Sequence, residues 1–188
     1  MPQPQALSKA QFADFWPRRP LMLVADLSRY QRAVWQKTIP AAVRGGVNVV
    51  RFRGQWDAII HAPGALTIVD GVSHFPESEM KEIGSAFGVS VHSVDAAVNA
   101  QGLGASYLLF GSVFSTESHP EREAAGLDAL NAVCQAVRIP VVAIGGINAG
   151  NAKICIEAGA SGVAVIGAIA GSADPELAAI ELREAIND

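Results

Sequence analysis

The chain has 188 residues, 50% of them hydrophobic and 17% charged, with a formal net charge of -4. That length and composition fit one domain with ample apolar material for a buried core. No Lys/Arg cluster offsets the acidic balance, which argues against nucleic acid as a partner, and the apolar runs are too short to span a membrane.

Strand and helix signals alternate from the start, after an opening, Met1-Pro-Gln-Pro-Gln5, that lacks the basic and apolar regions of a secretion signal. Residues 1–20 read as an N-terminal extension holding a short helix near Lys9 to Phe15, and the whole of 1–188 reads as a single barrel domain. Leu21 to Ala25 is the first strand and Tyr30 to Arg44 its helix; Val47 to Phe52 is the second strand. Only about a dozen residues, Arg53 to Gly64, precede the next apolar run, Ala65 to Val69, and they include Pro63 and Gly64. A crossover helix barely fits there. Then come a helix around Glu77 to Phe87, a strand from Gly88 to Val91, a helix from Val94 to Gln101 and a strand from Ser106 to Phe110. A loop from Gly111 to Ala125 and a helix from Leu127 to Val137 lead into the last two units. The final helix, Pro175 to Ile186, opens with Asp174 and Pro175, a good N-cap and first-turn pair.

These last two units carry the clearest signal. Ile139-Pro-Val-Val-Ala-Ile-Gly-Gly-Ile147 and Gly162-Val-Ala-Val-Ile-Gly-Ala-Ile169 are β-branched runs that break on glycine and lead into helix-like stretches. Buried parallel strands feeding crossover helices look like this. The backbone of Gly145, Gly146, Ile166 and Gly167 is placed to bind a phosphate, since the last two strand-to-helix loops of an α/β barrel are the usual seat of one. About seven strands can be counted, which makes the fold class α/β: a TIM-type barrel lacking one βα unit. The gap should be covered by Phe12, Phe15 and Trp16 of the N-terminal segment, or by a second subunit in a homodimer. Cys134 and Cys155 fall inside helices among apolar residues, as small hydrophobes suited to a reducing cytoplasm.

From Gly88 onward the chain resembles the thiamine phosphate synthase and thiazole tautomerase superfamily. The resemblance rests on Gly88-Val-Ser-Val-His92, on Gly104-Ala-Ser-Tyr-Leu-Leu-Phe-Gly-Ser-Val-Phe-Ser-Thr116, on Gly126-Leu127, and on the two glycine motifs with Gly159-Ala-Ser-Gly162 between them. Gly45-Gly-Val-Asn-Val-Val-Arg-Phe-Arg53 is similar to the family's second strand. The resemblance implies a thiamine-biosynthetic transferase that couples an aminopyrimidine pyrophosphate to a thiazole phosphate, with magnesium on the leaving pyrophosphate. Arg53 matches the arginine that reaches that pyrophosphate, Ser90 a substrate-contacting serine, and Thr116 and Ser118 the hydroxyls of the phosphate-gripping loop.

Departures accompany the match. Gln55 and His119 stand where the family has lysines. His119 lies in the loop closing the phosphate site, where an imidazole near neutral pH can act as acid or base; that suits tautomerisation of a thiazole carboxylate phosphate. The stretch Asp70-Gly-Val-Ser-His-Phe-Pro-Glu77 admits two alignments. Either it matches the entry to the fourth strand and the third is missing, or Ile68-Val-Asp70 ends the third and the fourth is missing. Asp70 and Glu77 are the expected magnesium ligands, because that ion takes one or two carboxylates along with substrate phosphates. The histidines lack zinc-ligand spacing. Three functions follow from the resemblance: the synthase, the tautomerase, and a member that has lost catalysis and keeps a phosphate-ligand pocket.

Overall fold

The computed structural model describes residues 7–80, 83–116 and 123–187. Eight parallel strands form one sheet that curls into a nearly closed barrel. They are β1 (Leu21–Asp26), β2 (Val49–Arg53), β3 (Leu66–Val69), β4 (His74–Pro76), β5 (Gly88–Val91), β6 (Tyr107–Phe110), β7 (Val141–Ile144) and β8 (Gly162–Val165). The fold is thus the expected TIM-type barrel, but with eight strands rather than about seven.

The extra strand comes from an economical step in the chain. β3 pairs with β2, and after only residues 70–73 the chain resumes as β4, which pairs with β5. An isolated parallel bridge, Asp70 to His74, links the chain just past β3 to the start of β4 and brings the ring close to closure. Because Asp70 directly follows β3 and His74 begins β4, β4 starts at the height where β3 stops. The turn is held by Ser73, whose amide donates to the Val69 carbonyl at 2.9 Å and whose Oγ accepts from the Val69 amide at 3.1 Å. All eight strands are present, while among the described residues no α-helix lies between β2 and β5.

Helices α1 (Lys9–Phe15), α2 (Arg32–Arg44), α3 (Val94–Gly102), α4 (Gly126–Ala136), α5 (Ala152–Glu157), α6 (Gly167–Ala170) and α7 (Pro175–Asn187) surround the remaining sectors. The helix expected over Glu77 to Phe87 is a 3-10 turn at Glu77–Glu79 followed, over residues 83–87, by irregular chain. Between β2 and β3 the segment 54–65 packs as a loop. Trp56 meets the ring of Phe52 edge-on at 5.0 Å and donates its indole N–H to the Arg53 carbonyl. Arg32 of α2 lies over the same indole at 5.7 Å and donates to the Ala58 carbonyl at 2.7 Å, so side chains do the covering that a helix would otherwise do.

Strand alternation sorts the apolar residues into two cores. Leu21, Leu23, Val50, Phe52, Val89, Leu108, Phe110, Val141 and Val163 face the helices. Met22, Val24, Val49, Ile68, Tyr107, Leu109, Val142 and Ala164 fill the barrel interior. Phe12 joins this inner core; its ring and that of Trp16 stack with Tyr107 at 5.8 and 4.6 Å. The N-terminal helix therefore plugs the bottom of the barrel instead of covering its side, and Phe15 stays exposed. Gly88 makes room for the plug's partner, since a Cβ there would lie 2.1 Å from the Tyr107 ring. Cys155 is buried and Cys134 half-buried, both unpaired, and burial pushes each thiol up to about 11. Among the described residues, no helix is long and apolar enough to cross a membrane.

Candidate active site

With the bottom plugged, the barrel opens at the C-terminal ends of its strands into a cavity of about 510 Å³. β2 supplies its charge. The two-residue period that turns Val50 and Phe52 outward turns Arg51 and Arg53 into the barrel, and both line the cavity with Arg29. Arg51 is almost wholly buried; its Nε donates to Asp70 Oδ1 at 2.8 Å, while Asp70 Oδ2 accepts the Gly54 amide at 3.2 Å. Arg53 is more open, with Nη1 3.5 Å from Asp26 Oδ2. The other oxygen of Asp26 is held by the amide and hydroxyl of Ser28, at 2.8 and 2.7 Å. Three guanidiniums thus line the cavity against the carboxylate of Asp70, with that of Asp26 behind Arg53, so this wall carries positive charge within an acidic protein.

Beside the arginines stands a buried polar chain. His74 begins β4, points inward, and its Nε2 lies 2.8 Å from Ser90 Oγ while its Nδ1 lies 2.6 Å from the Tyr107 hydroxyl. Burial, reinforced by the charges of Arg51 and then Arg53, holds its pKa well below the ordinary value, so the ring is neutral. Burial likewise pushes the Tyr107 phenol up, so that it keeps its proton. Ser90 at one end of this chain lines the cavity.

The opposite wall is formed by the loops after β6, β7 and β8, with Thr116, Gly145, Gly146, Ile166 and Gly167 all lining it. Their glycines are not equivalent. A Cβ on Gly146 would lie 2.4 Å from the Ser115 carbonyl oxygen and 2.8 Å from Phe114 Cβ, and on Gly145 2.6 Å from Ser112. That pair makes space for the neighbouring loop. A Cβ on Gly167 would meet only the Tyr30 hydroxyl, at 3.8 Å, and would project into the open cavity.

Of the residues singled out in the sequence, Arg53, Asp70, Ser90, Thr116 and the glycines after β7 and β8 all line this one cavity. Ser118 and His119 lie outside the described residues. Glu77 does not line the cavity, and its carboxylate accepts the His92 amide at 3.2 Å. With both Asp70 oxygens engaged and no group of three His, Cys, Asp or Glu placed to hold a metal among the described residues, the donors present do not fit a protein-built magnesium site. Arg51, His74 and Tyr107 are the contributors that sequence reasoning missed. The strand-two alternation already put Arg51 on the face of Arg53, whereas nothing short of the β3–β4 step would place His74.

Residues 74–169 match the family model for thiamine monophosphate synthase. The thiamine-phosphate synthase of Pyrococcus abyssi is 34% identical over 154 residues, covering 76% of this chain and 74% of that one. This chain belongs to the thiamine monophosphate synthase family. The thiamine-phosphate synthase of Coprothermobacter proteolyticus is 47% identical over 103 residues, 55% of this chain and 49% of the relative; in that match the chain spans about half of its relative's length. Among solved structures, thiamine phosphate pyrophosphorylase from Pyrococcus furiosus superposes with a TM-score of 0.73 at 28% identity, covering 90% of this chain and 96% of that one. Gln55, which stands where the resemblance implies a lysine, is exposed and does not line the cavity.

Proposed function

We propose that the chain is a thiamine phosphate synthase-like transferase that couples an aminopyrimidine pyrophosphate to a thiazole phosphate. The observation that carries this reading is the two-ended cavity: guanidiniums of Arg29, Arg51 and Arg53 on one wall, Gly167, Ile166 and Thr116 on the other. A pyrophosphate at the first wall and a singly phosphorylated ring at the second would present the reacting methylene carbon and the thiazole nitrogen to each other between them. In the coupling, the bond between the pyrimidine's methylene carbon and the pyrophosphate oxygen breaks and its electron pair leaves with pyrophosphate. The thiazole nitrogen then donates its lone pair to that methylene, forming the carbon–nitrogen bond and a thiazolium. No net proton transfer is needed.

In this scheme Arg53 neutralises charge building on the leaving group, a task suited to a planar fork of donors. Arg51, anchored by Asp70, keeps a second guanidinium in fixed orientation, and preorganised charge of that kind lowers the barrier without reorganisation. Ser90 holds an acceptor atom of the substrate, and Thr116 with the Gly167 amide holds the thiazole's phosphate. Magnesium, which the family resemblance implies, would when bound neutralise charge on the leaving pyrophosphate. Incubation of the protein with both substrates and magnesium should yield thiamine phosphate by mass spectrometry.

One observation favours a second reading, a phosphate-ligand binder without catalysis: the Asp70 carboxylate is committed to Arg51 and the Gly54 amide. That reading predicts measurable binding of either phosphorylated substrate with no product at any magnesium concentration.

A further inference from the structure

The chain Tyr107–His74–Ser90 has a direction, and the direction can be read from its buried end. Among the described residues the Tyr107 hydroxyl has one hydrogen-bond partner, Nδ1 of His74 at 2.6 Å, and it sits in the barrel interior against Phe12 and Trp16. If Nδ1 carried the imidazole proton, the phenolic O–H would have no acceptor within hydrogen-bond reach among the described residues. A buried donor left without a partner is costly, so the hydroxyl donates and Nδ1 accepts. A neutral imidazole has one donor and one acceptor. Its proton then sits on Nε2, which is 2.8 Å from Ser90 Oγ. That oxygen accepts from the ring, and the serine's own proton is left to face the cavity that Ser90 lines.

We propose that Tyr107 and His74 are positioning residues that lock the Nε2–H tautomer of His74 and thereby make Ser90 an oriented hydrogen-bond donor toward the bound ligand. The ligand atom opposite Ser90 is then an acceptor: a phosphate oxygen or an unprotonated ring nitrogen. The same direction forbids a different chemistry. A serine nucleophile needs a bare imidazole nitrogen to take its proton, and here that nitrogen is already protonated, so Ser90 binds and does not attack. Only the ligand-binding step rests on the transferase reading; the tautomer does not.

The test is nitrogen-15 NMR of the ligand-free, histidine-labelled protein, with the His74 ring identified by its loss in His74→Gln. The expected spectrum has a pyrrole-type Nε2 and a pyridine-type Nδ1. Tyr107→Phe keeps the ring and its packing but removes the donor, and should bring the second tautomer into the spectrum. Phe12→Ala, which only loosens the plug, should lower stability and leave the tautomer alone. A wild-type ring protonated on Nδ1, or a Tyr107→Phe spectrum identical to wild type, overturns the proposal whatever the protein binds. Titration with inorganic pyrophosphate and with the aminopyrimidine lacking its pyrophosphate tells which acceptor Ser90 meets. Ser90→Ala should weaken one of them about fivefold, the scale of one hydrogen bond, and Tyr107→Phe should weaken the same one by less. No loss with either ligand in Ser90→Ala would refute the donor role.

Discussion

Arg51 and Asp70 meet through a 2.8 Å Nε–Oδ1 contact at the place where β2, β3 and the start of β4 come together, with the Arg51 side chain 8% exposed and that of Asp70 24%. The pair joins the stability of the closing seam to the charge of the cavity. Asp70→Asn keeps the shape but leaves a buried guanidinium without its counter-charge, at a cost of about 2 kcal/mol. In a domain of this size that is a fall of roughly 4–8 °C in Tm. Adding Arg51→Met should cost less than the sum of the separate changes, because the orphaned charge goes with it. Strict additivity in thermal unfolding of the single and double variants would show that the two residues act independently.

The buried His74 gives stability a pH dependence with a definite sign. Its folded-state pKa lies well below 6.5, chiefly through burial and then through Arg51 and Arg53, whereas in the unfolded chain it titrates near 6.5. Above that value both states are neutral and nothing is lost. As pH falls below it the unfolded chain takes up a proton that the folded ring refuses, so stability drops by up to about 1.4 kcal/mol per pH unit until the folded pKa is reached. Urea unfolding between pH 7.5 and 5 should show this slope in the wild type and a shallower one in His74→Gln, whose side chain does not titrate. Equal slopes would assign the acid sensitivity elsewhere.

How far the sequence spoke for itself varied with the kind of signal. β7 and β8 were readable because each is an unbroken β-branched run ended by glycine, and the same runs carried the family resemblance. β4 was not, since a three-residue strand reading His-Phe-Pro, with a proline at its end, has no periodicity to detect. That one omission produced the count of seven and hid His74. The role of α1 was half readable: its amphipathic helix and aromatics stood in the sequence, while its seat under the barrel depends on the bare Gly88 that lets Tyr107 reach across to meet it. Arg53 was found by resemblance and Arg51 overlooked, although strand alternation alone places both on one face.

Arg53→Ala separates the two functional readings. In a transferase it removes a charge-assisted contact to the leaving pyrophosphate, on the order of 1.5–3 kcal/mol, and so slows turnover roughly ten- to a hundredfold. Binding of the thiazole phosphate at the Gly167 wall should hardly change. Asp26 keeps both contacts from Ser28, so the variant should fold. Turnover undiminished in Arg53→Ala would remove the arginine from the reaction, and wild-type protein that binds both substrates yet forms no product would leave the binder reading in place.

The glycines of the far wall make the sharpest pair of forecasts, because each lacks a side chain for a different reason. Gly146 sits at φ +66, and a Cβ there runs into the Ser115 carbonyl and Phe114. Gly146→Ala therefore combines left-handed backbone strain with overpacking, about 2–4 kcal/mol together, and should appear as lost stability. Gly167 has ordinary backbone angles and open space before it. Gly167→Ala should unfold within about 0.5 kcal/mol of the wild type while covering the amide expected to meet the anion, so that its affinity for inorganic phosphate falls severalfold. Thermal unfolding and phosphate titration of both variants decide the matter. If Gly167→Ala binds phosphate as the wild type does, the anion does not sit on that amide; if Gly146→Ala keeps its stability and loses phosphate, the seat lies one loop away.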